Sequence, residues 1–290
     1  VRHGAIAIAA GAIACGGETA PPTFRPSHVP EVAVIVGAGD IGECGRASGA
    51  EVTARLLDRI EGVVFTTGDN AYPSGRAQDF AACYEPTWGR HKPRTRPSPG
   101  NHDYEVPGAA DYFQYFGENA GPGGLGYYRY RAGGWTIYSL NSNVPIGRAS
   151  AQMQWLRQEL QMDATLCSAA YFHHPPFSSG RHGDSPFMLA LWRELHAAGV
   201  EVAIAGHEHS YERFAAMDGD GQADPARGVR LFIAGTGGAH LVPPVRVAPN
   251  SEVRTTQFGV LKLTLHSTRY EWAFLDANGG IADAGMDTCH

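Results

Sequence analysis

The sequence predicts an α/β domain in which two sheets are covered by helices. An opening β–α–β pattern, strand-type runs gathered towards both ends, and helical spacing between them carry this reading. The first apolar run, Val32-Ala33-Val34-Ile35-Val36, reads as a buried strand. Residues 51–60 place Val52, Leu56, Leu57 and Ile60 on one helical face, and Val63-Val64-Phe65 is the next strand, so the domain should open on a parallel pair. A short strand is expected before Gly100. Residues 127–130 and 135–140 flank a Gly133-Gly134 turn and read as two strands. Residues 152–162 form a helix, 169–172 a strand, 188–198 a helix and 202–205 a strand. Residues 229–234, 260–265 and 270–275 complete the strands, with turn residues between them.

A chain of 290 residues holds one large α/β domain or two small ones. Its 43% hydrophobic content excludes disorder as the general state, and a formal net charge of −6 argues against a nucleic-acid partner. Residues 1–15, VRHGAIAIAAGAIAC, have a positive start and an apolar run of signal-peptide length, too short to span a bilayer. Cys15 after Ala12-Ile13-Ala14 looks like a bacterial lipoprotein cleavage site, so Cys15 is the expected lipid anchor, with simple secretion as the alternative. Residues 16–30 are rich in Gly and Pro and read as a tether. No composition shift follows, so 31–290 is expected to be one domain. In an exported chain the remaining Cys44, Cys83, Cys167 and Cys289 suggest two disulfides with three connectivities. The pairing we expect is Cys44–Cys83, tying the loop after the first strand to the segment after Tyr72, and Cys167–Cys289, pinning the C-terminus to the strand that leads to His173.

Ligand-type residues recur just after strands. They are Asp40 in Gly37-Ala38-Gly39-Asp40, Asp69 in Gly68-Asp69-Asn70-Ala71-Tyr72, Asn101 and His102 in Gly100-Asn101-His102-Asp103, His173 and His174 after Tyr171-Phe172, and His207 and His209 in Gly206-His207-Glu208-His209. Open α/β sheets gather ligands at the carboxyl ends of their strands, where loops converge on one crevice. Residues 37–42 also match the G-x-G-x-x-G of dinucleotide sites. Gly45 and Gly49 delay the helix that such a site needs, Asp40 would face a pyrophosphate, and the histidine pairs would be left without a role. The set of Asp, Asn and His suits metals of borderline hardness, and two such ions can clamp a phosphate, activate water and steady the leaving oxygen. Asp69, in the middle of the ligand order, is the candidate for the shared carboxylate.

The blocks Gly39-Asp40, Gly68-Asp69-x-x-Tyr72, Gly100-Asn101-His102-Asp103, His173-x-Pro175 and Gly206-His207-x-His209 resemble the five blocks of purple acid phosphatases, and they span residues 39–209. Most other metallophosphoesterases carry Asp-x-His in the first block. Here Gly42 stands where that histidine would be, and Tyr72 of the second block stands where the purple enzymes use a tyrosine instead. The resemblance implies a four-layer α/β/β/α sandwich and hydrolysis of phosphate monoesters. It implies one metal held by Asp40, Asp69, Tyr72 and His209 and another held by Asp69, Asn101, His173 and His207. The tyrosine site would take ferric iron, and the other ferrous iron, zinc or manganese. His173 is preferred to His174 because the family spaces its ligand two residues before proline.

His102, next to a ligand, is expected to contact the phosphate, with the adjacent Asp103 orienting it, and by the same resemblance His182 donates a proton to the leaving group. Arg181 beside it is a substrate-binding candidate or a surface charge. The basic run 90–96 reads as a solvated approach to the next strand, and residues 218–221 read as a hairpin turn. The aromatics Tyr112, Phe113, Tyr115 and Phe116 read as core. Gly235-Thr236-Gly237-Gly238 suits a turn or a site wall equally. The expected partners are small phosphate esters, with no nucleic acid, and a membrane only through Cys15. A phosphodiesterase on the same metals, or a non-catalytic envelope protein on the same scaffold, are the competing functions.

Overall fold

The computed structural model describes residues 1, 4, 32–45 and 47–290. Apart from Val1 and Gly4, the expected leader, Cys15 and the tether lie outside the described residues. The chain enters on β1 (Ala33–Ala38), crosses through α1 (Ala47–Leu57) and returns in parallel on β2 (Val63–Thr67). Next come α2 (Ala77–Asp79), a π-helical turn, a 3-10 helix (Trp88–Arg94) and β3 (Thr95–Ser98), parallel to β2. Then follow α3 (Ala110–Phe116), the hairpin β4 (Tyr128–Ala132) and β5 (Trp135–Ser139), α4 (Ala151–Met162), β6 (Ser168–Tyr171), α5 (Leu189–Ala197), β7 (Val202–Ala205), β8 (Tyr211–Met217) and β9 (Val229–Ala234). The last strands are β10 (Ser251–Thr255), β11 (Gly259–Leu265), β12 (Arg269–Asp276) and β13 (Ile281–Thr288). One sheet has the order β13-β12-β11-β1-β2-β3 and the other β10-β8-β9-β7-β6-β5-β4.

Alternation along the strands makes the layers. Ile35 and Phe65 face Trp135, Ile137, Tyr171 and Phe232 between the sheets, whereas the neighbouring Val36 and Val64 turn outwards onto Ala54 and Leu57 of α1. On the far side Tyr138 and Leu140 pack under Met153 and Leu156 of α4 and Leu191, Trp192 and Leu195 of α5. Three apolar clusters separated by two sheets give the expected four-layer α/β/β/α sandwich. Tyr112 and Phe116 join the cluster beside α1, with Phe113 and Tyr115 packed against it, so the aromatic run is core.

The basic run makes ion pairs and caps within the fold. Arg90 pairs with Glu51 and Asp58, and Arg94 donates to the carbonyls of Leu57, Ile60 and Gly62, fastening the end of α1 to the approach to β3. Residues 218–221 turn between β8 and β9, with the Asp218 carboxylate accepting from the backbone N–H of Asp220 and Gln222. Three strands carry no alternating pattern and were not expected. β8 buries Glu212, which accepts hydrogen bonds from Ser179 and Ser251. β10 is partly exposed along its length. β13 is an edge strand with one inward residue of note, Asp283, whose Oδ2 accepts from Tyr211 Oη and Arg213 Nε at 2.7 Å each and from Trp272 Nε1 at 3.2 Å.

Both expected disulfides are present, with Cα–Cα distances of 5.1 Å for Cys44–Cys83 and 5.6 Å for Cys167–Cys289. The second closes a loop of 122 residues. Non-reducing peptide mapping is expected to recover these two pairs. Replacing Cys167 and Cys289 together by alanine is expected to lower the unfolding free energy by about 2–4 kcal/mol in urea titrations. Free thiols or crossed pairs would contradict the pairing.

Candidate metal centre

Parallel strands of both sheets end at one crevice. Asp40 follows β1, Asp69 follows β2, Asn101 and His102 follow β3, His173 follows β6, and His207 and His209 follow β7. Asp40, Asp69 and His207 sit at φ of 58°, 51° and 70°, three of the five non-glycine residues with positive φ among those described. Such conformations are held only where the surroundings over-determine them. Here adjacent loops do so, since the N–H groups of Asp40, Ile41 and Gly42 donate to the carbonyls of Gly68, Asp69 and Asn70.

All seven proposed ligands converge. The Tyr72 hydroxyl lies 2.9 Å from Asp40 Oδ1, 3.1 Å from Asp69 Oδ2 and 3.1 Å from His209 Nε2. His173 Nε2 lies 2.9 Å from Asn101 Oδ1, 3.4 Å from Asp69 Oδ2 and 3.2 Å from His207 Nδ1. Asp69 Oδ2 therefore touches both groups. The far ring nitrogens are committed to backbone carbonyls: His173 Nδ1 donates to Thr67 at 2.8 Å and His209 Nδ1 to His240 at 2.7 Å, which aims each Nε2 inwards. His174 turns aside to Ser142 at 2.8 Å.

Burial and the groups' own mutual charges set their protonation. Burial opposes charge on His173 and His209, but Asp69 and Asp40 outweigh it and raise both to about 9. Burial likewise opposes ionisation of Asp69, yet His173 holds it below the usual carboxylate range. Burial and the charges of His173 and His174 push His207 down to about 2, leaving it neutral. Burial, Asp40 and Asp69 together raise the Tyr72 phenol well above its usual range, so it donates to the two carboxylates. Carboxylates, inward imidazoles, an amide oxygen and a phenol make a donor set that fits divalent and trivalent ions.

The crevice opens into a cavity of about 530 Å³. His102 lines it, its ring 4.6 Å from that of Tyr72 and its Nδ1 on the Pro73 carbonyl. Asp103 does not orient that ring. Its buried carboxylate instead accepts from Gly100 N at 2.8 Å and Asn70 Nδ2 at 2.9 Å, bracing the loops that carry Asp69 and Asn101. The expectation failed because the 3-10 turn starting at Asp103 directs its side chain under the loops, whereas His102 faces the cavity. His182 also lines the cavity, its ring 4.4 Å from that of His207 and its Nδ1 3.3 Å from Glu208 Oε2. The Glu208 bond outweighs partial burial and raises His182 above its ordinary value. Arg181 stands exposed beside it.

Sequence reading missed Glu208, Glu43 and His240. His240 lies 4.7 Å from the His209 ring and its backbone N–H donates to Glu43 at 2.6 Å. Glu208 fills the open position of the His-x-His block, where spacing gives no signal. His240 follows the glycine run 235–238, which backs the Asp40 loop: Gly237 N donates to Gly39 O and Ala239 N to Asp40 O, both at 2.8 Å.

The profile of calcineurin-like phosphoesterases matches residues 33–211, which contain every one of the seven convergent residues. The chain belongs to that family. Within it the chain resembles purple acid phosphatases. Purple acid phosphatase 18 of Arabidopsis thaliana is 28% identical over 252 residues, covering 77% of this chain and 54% of the relative. Purple acid phosphatase 21 of the same plant is 29% identical over 309 residues, covering 93% and 66%. This calcineurin-like chain thus spans between about half and two thirds of the length of these relatives. Purple acid phosphatase PPD1 from yellow lupin (Lupinus luteus) seeds superposes with a TM-score of 0.71 at 17% identity, over 89% of this chain and 54% of that one. GAP50, the anchor in the inner membrane complex of Plasmodium, superposes at 0.69 with 14% identity over 89% of both chains. At these identities the two structures share the fold.

Gly100 packs against Asp69 so closely that a Cβ there would collide with its Oδ1 and its backbone nitrogen. Gly100→Ala is expected to destabilise the metal-free protein by about 1–3 kcal/mol through overpacking, read from the urea midpoint. An unchanged midpoint would show that the Asp69 loop has room to move.

Proposed function

We propose that the chain hydrolyses phosphate monoesters at a binuclear metal centre. The observation that supports this most directly is the Asp69 Oδ2 atom, 3.1 Å from the Tyr72 hydroxyl and 3.4 Å from His173 Nε2, and so shared between two donor groups. In this reading Asp40, Asp69, Tyr72 and His209 hold one ion, and Asp69, Asn101, His173 and His207 the other. A tyrosine phenolate is a hard donor, so the first ion is ferric iron and the second ferrous iron, zinc or manganese. When bound, the two ions draw charge from the phosphoryl oxygens and make water a better nucleophile at phosphorus.

The chain's own groups do the rest. His102, half-exposed in the cavity and held at Nδ1 by the Pro73 carbonyl, offers Nε2 to a phosphate oxygen. Asp103 keeps the Asp69 and Asn101 loops in register. His182 stands over His207 and gives its proton to the departing alkoxide. The cavity suits small organic phosphates. The two disulfides fit an oxidising compartment, and we read the chain as extracytoplasmic, held at a membrane only through Cys15.

The purified protein is expected to contain iron and a second metal, to show a visible phenolate-to-ferric band, and to cleave monoesters faster than diesters. Tyr72→Phe is expected to lose the band, and His207→Ala to lower metal content. An active, fully metallated wild type without the band would refute the ferric assignment, and a preference for diesters would make the chain a phosphodiesterase on the same residues. A protein that takes up no metal would leave the non-catalytic reading.

An aryl phosphate leaves readily, whereas an alkyl phosphate needs protonation in the transition state. His182→Ala is therefore expected to keep both metals and to lose about 10²-fold or more on alkyl esters, with a smaller loss on aryl esters. Equal losses on both would make His182 a phosphate-binding group rather than a donor.

A further inference from the structure

We propose that Glu208 is the positioning residue for His182: its buried carboxylate, carried inside the His207-x-His209 loop, pairs with the Nδ1–H and leaves Nε2 facing the cavity. The inference rests on reading His182 as the proton donor. Left alone, an imidazole with half of its side chain exposed would sample many rotamers. Here it has two restraints, the Glu208 carboxylate at 3.3 Å and the face of His207 at 4.4 Å. Committing Nδ1 to a carboxylate fixes which nitrogen is left for chemistry.

The carboxylate is itself held. The Glu208 side chain is 2% exposed, and its Oε1 accepts from Ser178 Oγ at 3.2 Å and from Gly183 N at 3.0 Å. Ser178 Oγ in turn accepts from Gly180 N at 2.8 Å. A Cβ at Gly180 would strike the Glu208 carboxyl, so the segment can wrap this closely only with glycine there. Three groups of the 178–183 segment thus converge on one carboxylate. The Glu208 backbone is pinned on each side, its N–H donating to Gly206 O and its carbonyl accepting from Ser210 N. One short loop therefore supplies two proposed metal ligands and the group that aims the donor, which fixes the donor's distance from the ions through three consecutive residues.

The test uses the metal-loaded protein with Glu208→Ala, Glu208→Gln, His182→Ala and the Glu208→Ala/His182→Ala pair. Metal content and kcat on an alkyl and an aryl phosphate are measured for each. Loss of an orienting partner is expected to cost Glu208→Ala roughly tenfold or more on the alkyl ester, with metal content kept and aryl turnover little changed. Glu208→Gln, which keeps an acceptor oxygen at the same reach, is expected to recover most of the alkyl activity. The double variant is expected to be no slower on the alkyl ester than His182→Ala alone, because residues acting through one another are not additive. Equal losses on both esters, or losses that multiply in the double variant, would overturn the positioning role. So would loss of metal in Glu208→Gln, which would make Glu208 a brace of the ligand loop only. If His182→Ala is alkyl-selective and Glu208→Ala is not, the donor reading stands and this inference falls. If His182→Ala shows no selectivity, both fall.

Discussion

The site depends on where the carboxylate of Asp69 is held. Its residue sits at a left-handed φ, its Oδ1 accepts the His102 N–H at 2.8 Å, and its Oδ2 lies between the Tyr72 hydroxyl and His173. Tyr72 belongs to the loop after β2 in one sheet, whereas His173 ends β6 in the other. One buried oxygen is therefore the meeting point of the two halves of the sandwich. An uncompensated anion there would be costly, so its neighbours must supply positive charge, as protons on imidazoles or as bound cations. The glycines and the Asp103 brace around it are the means of holding that oxygen still.

Much of this was legible in the sequence, for identifiable reasons. β1, β2, β7 and β9 are largely buried on both faces and read as apolar runs, broken only by Thr66 and Thr67 at the end of β2 and by Arg230 in β9. The proposed ligands follow parallel strands, so strand ends and side-chain chemistry pointed to the same places. β8, β10 and β13 were not legible. Their stability comes from side chains paired across long sequence distances, such as Glu212 with Ser179 and Ser251, and no local period records that. The partner of His102 was misread for a related reason. Sequence adjacency suggested Asp103, but backbone direction in the turn sends the two side chains apart.

The segment that carries Arg181 and His182 has no helix or strand of its own, yet it is anchored at several points. Glu208 and Glu212, both buried, take hydrogen bonds from Ser178, Ser179 and Gly183, while Arg246 donates to the Ser178 carbonyl at 2.8 Å and pairs with Asp184. Carboxylates rising from the β7–β8 connection and from β8 thus do for this loop what a neighbouring strand does for β6. Such an arrangement lets an irregular backbone present an exposed imidazole at a defined height above the crevice.

The inward Asp283 on β13 has a consequence for how the chain ends. Side chains on a strand alternate in direction, so a slip of one residue between β12 and β13 would turn this carboxylate to the opposite face. There it would lose Arg213, Tyr211 and Trp272 together. The polar, largely exposed β13 has little apolar patterning to fix its alignment, so the carboxylates of Asp283, on Arg213, and Asp287, on Arg230, help to set it. Correct alignment also delivers Cys289 opposite Cys167. The buried Asp283 carboxylate and the Cys167–Cys289 bond thus specify the same register of β13 from its two ends.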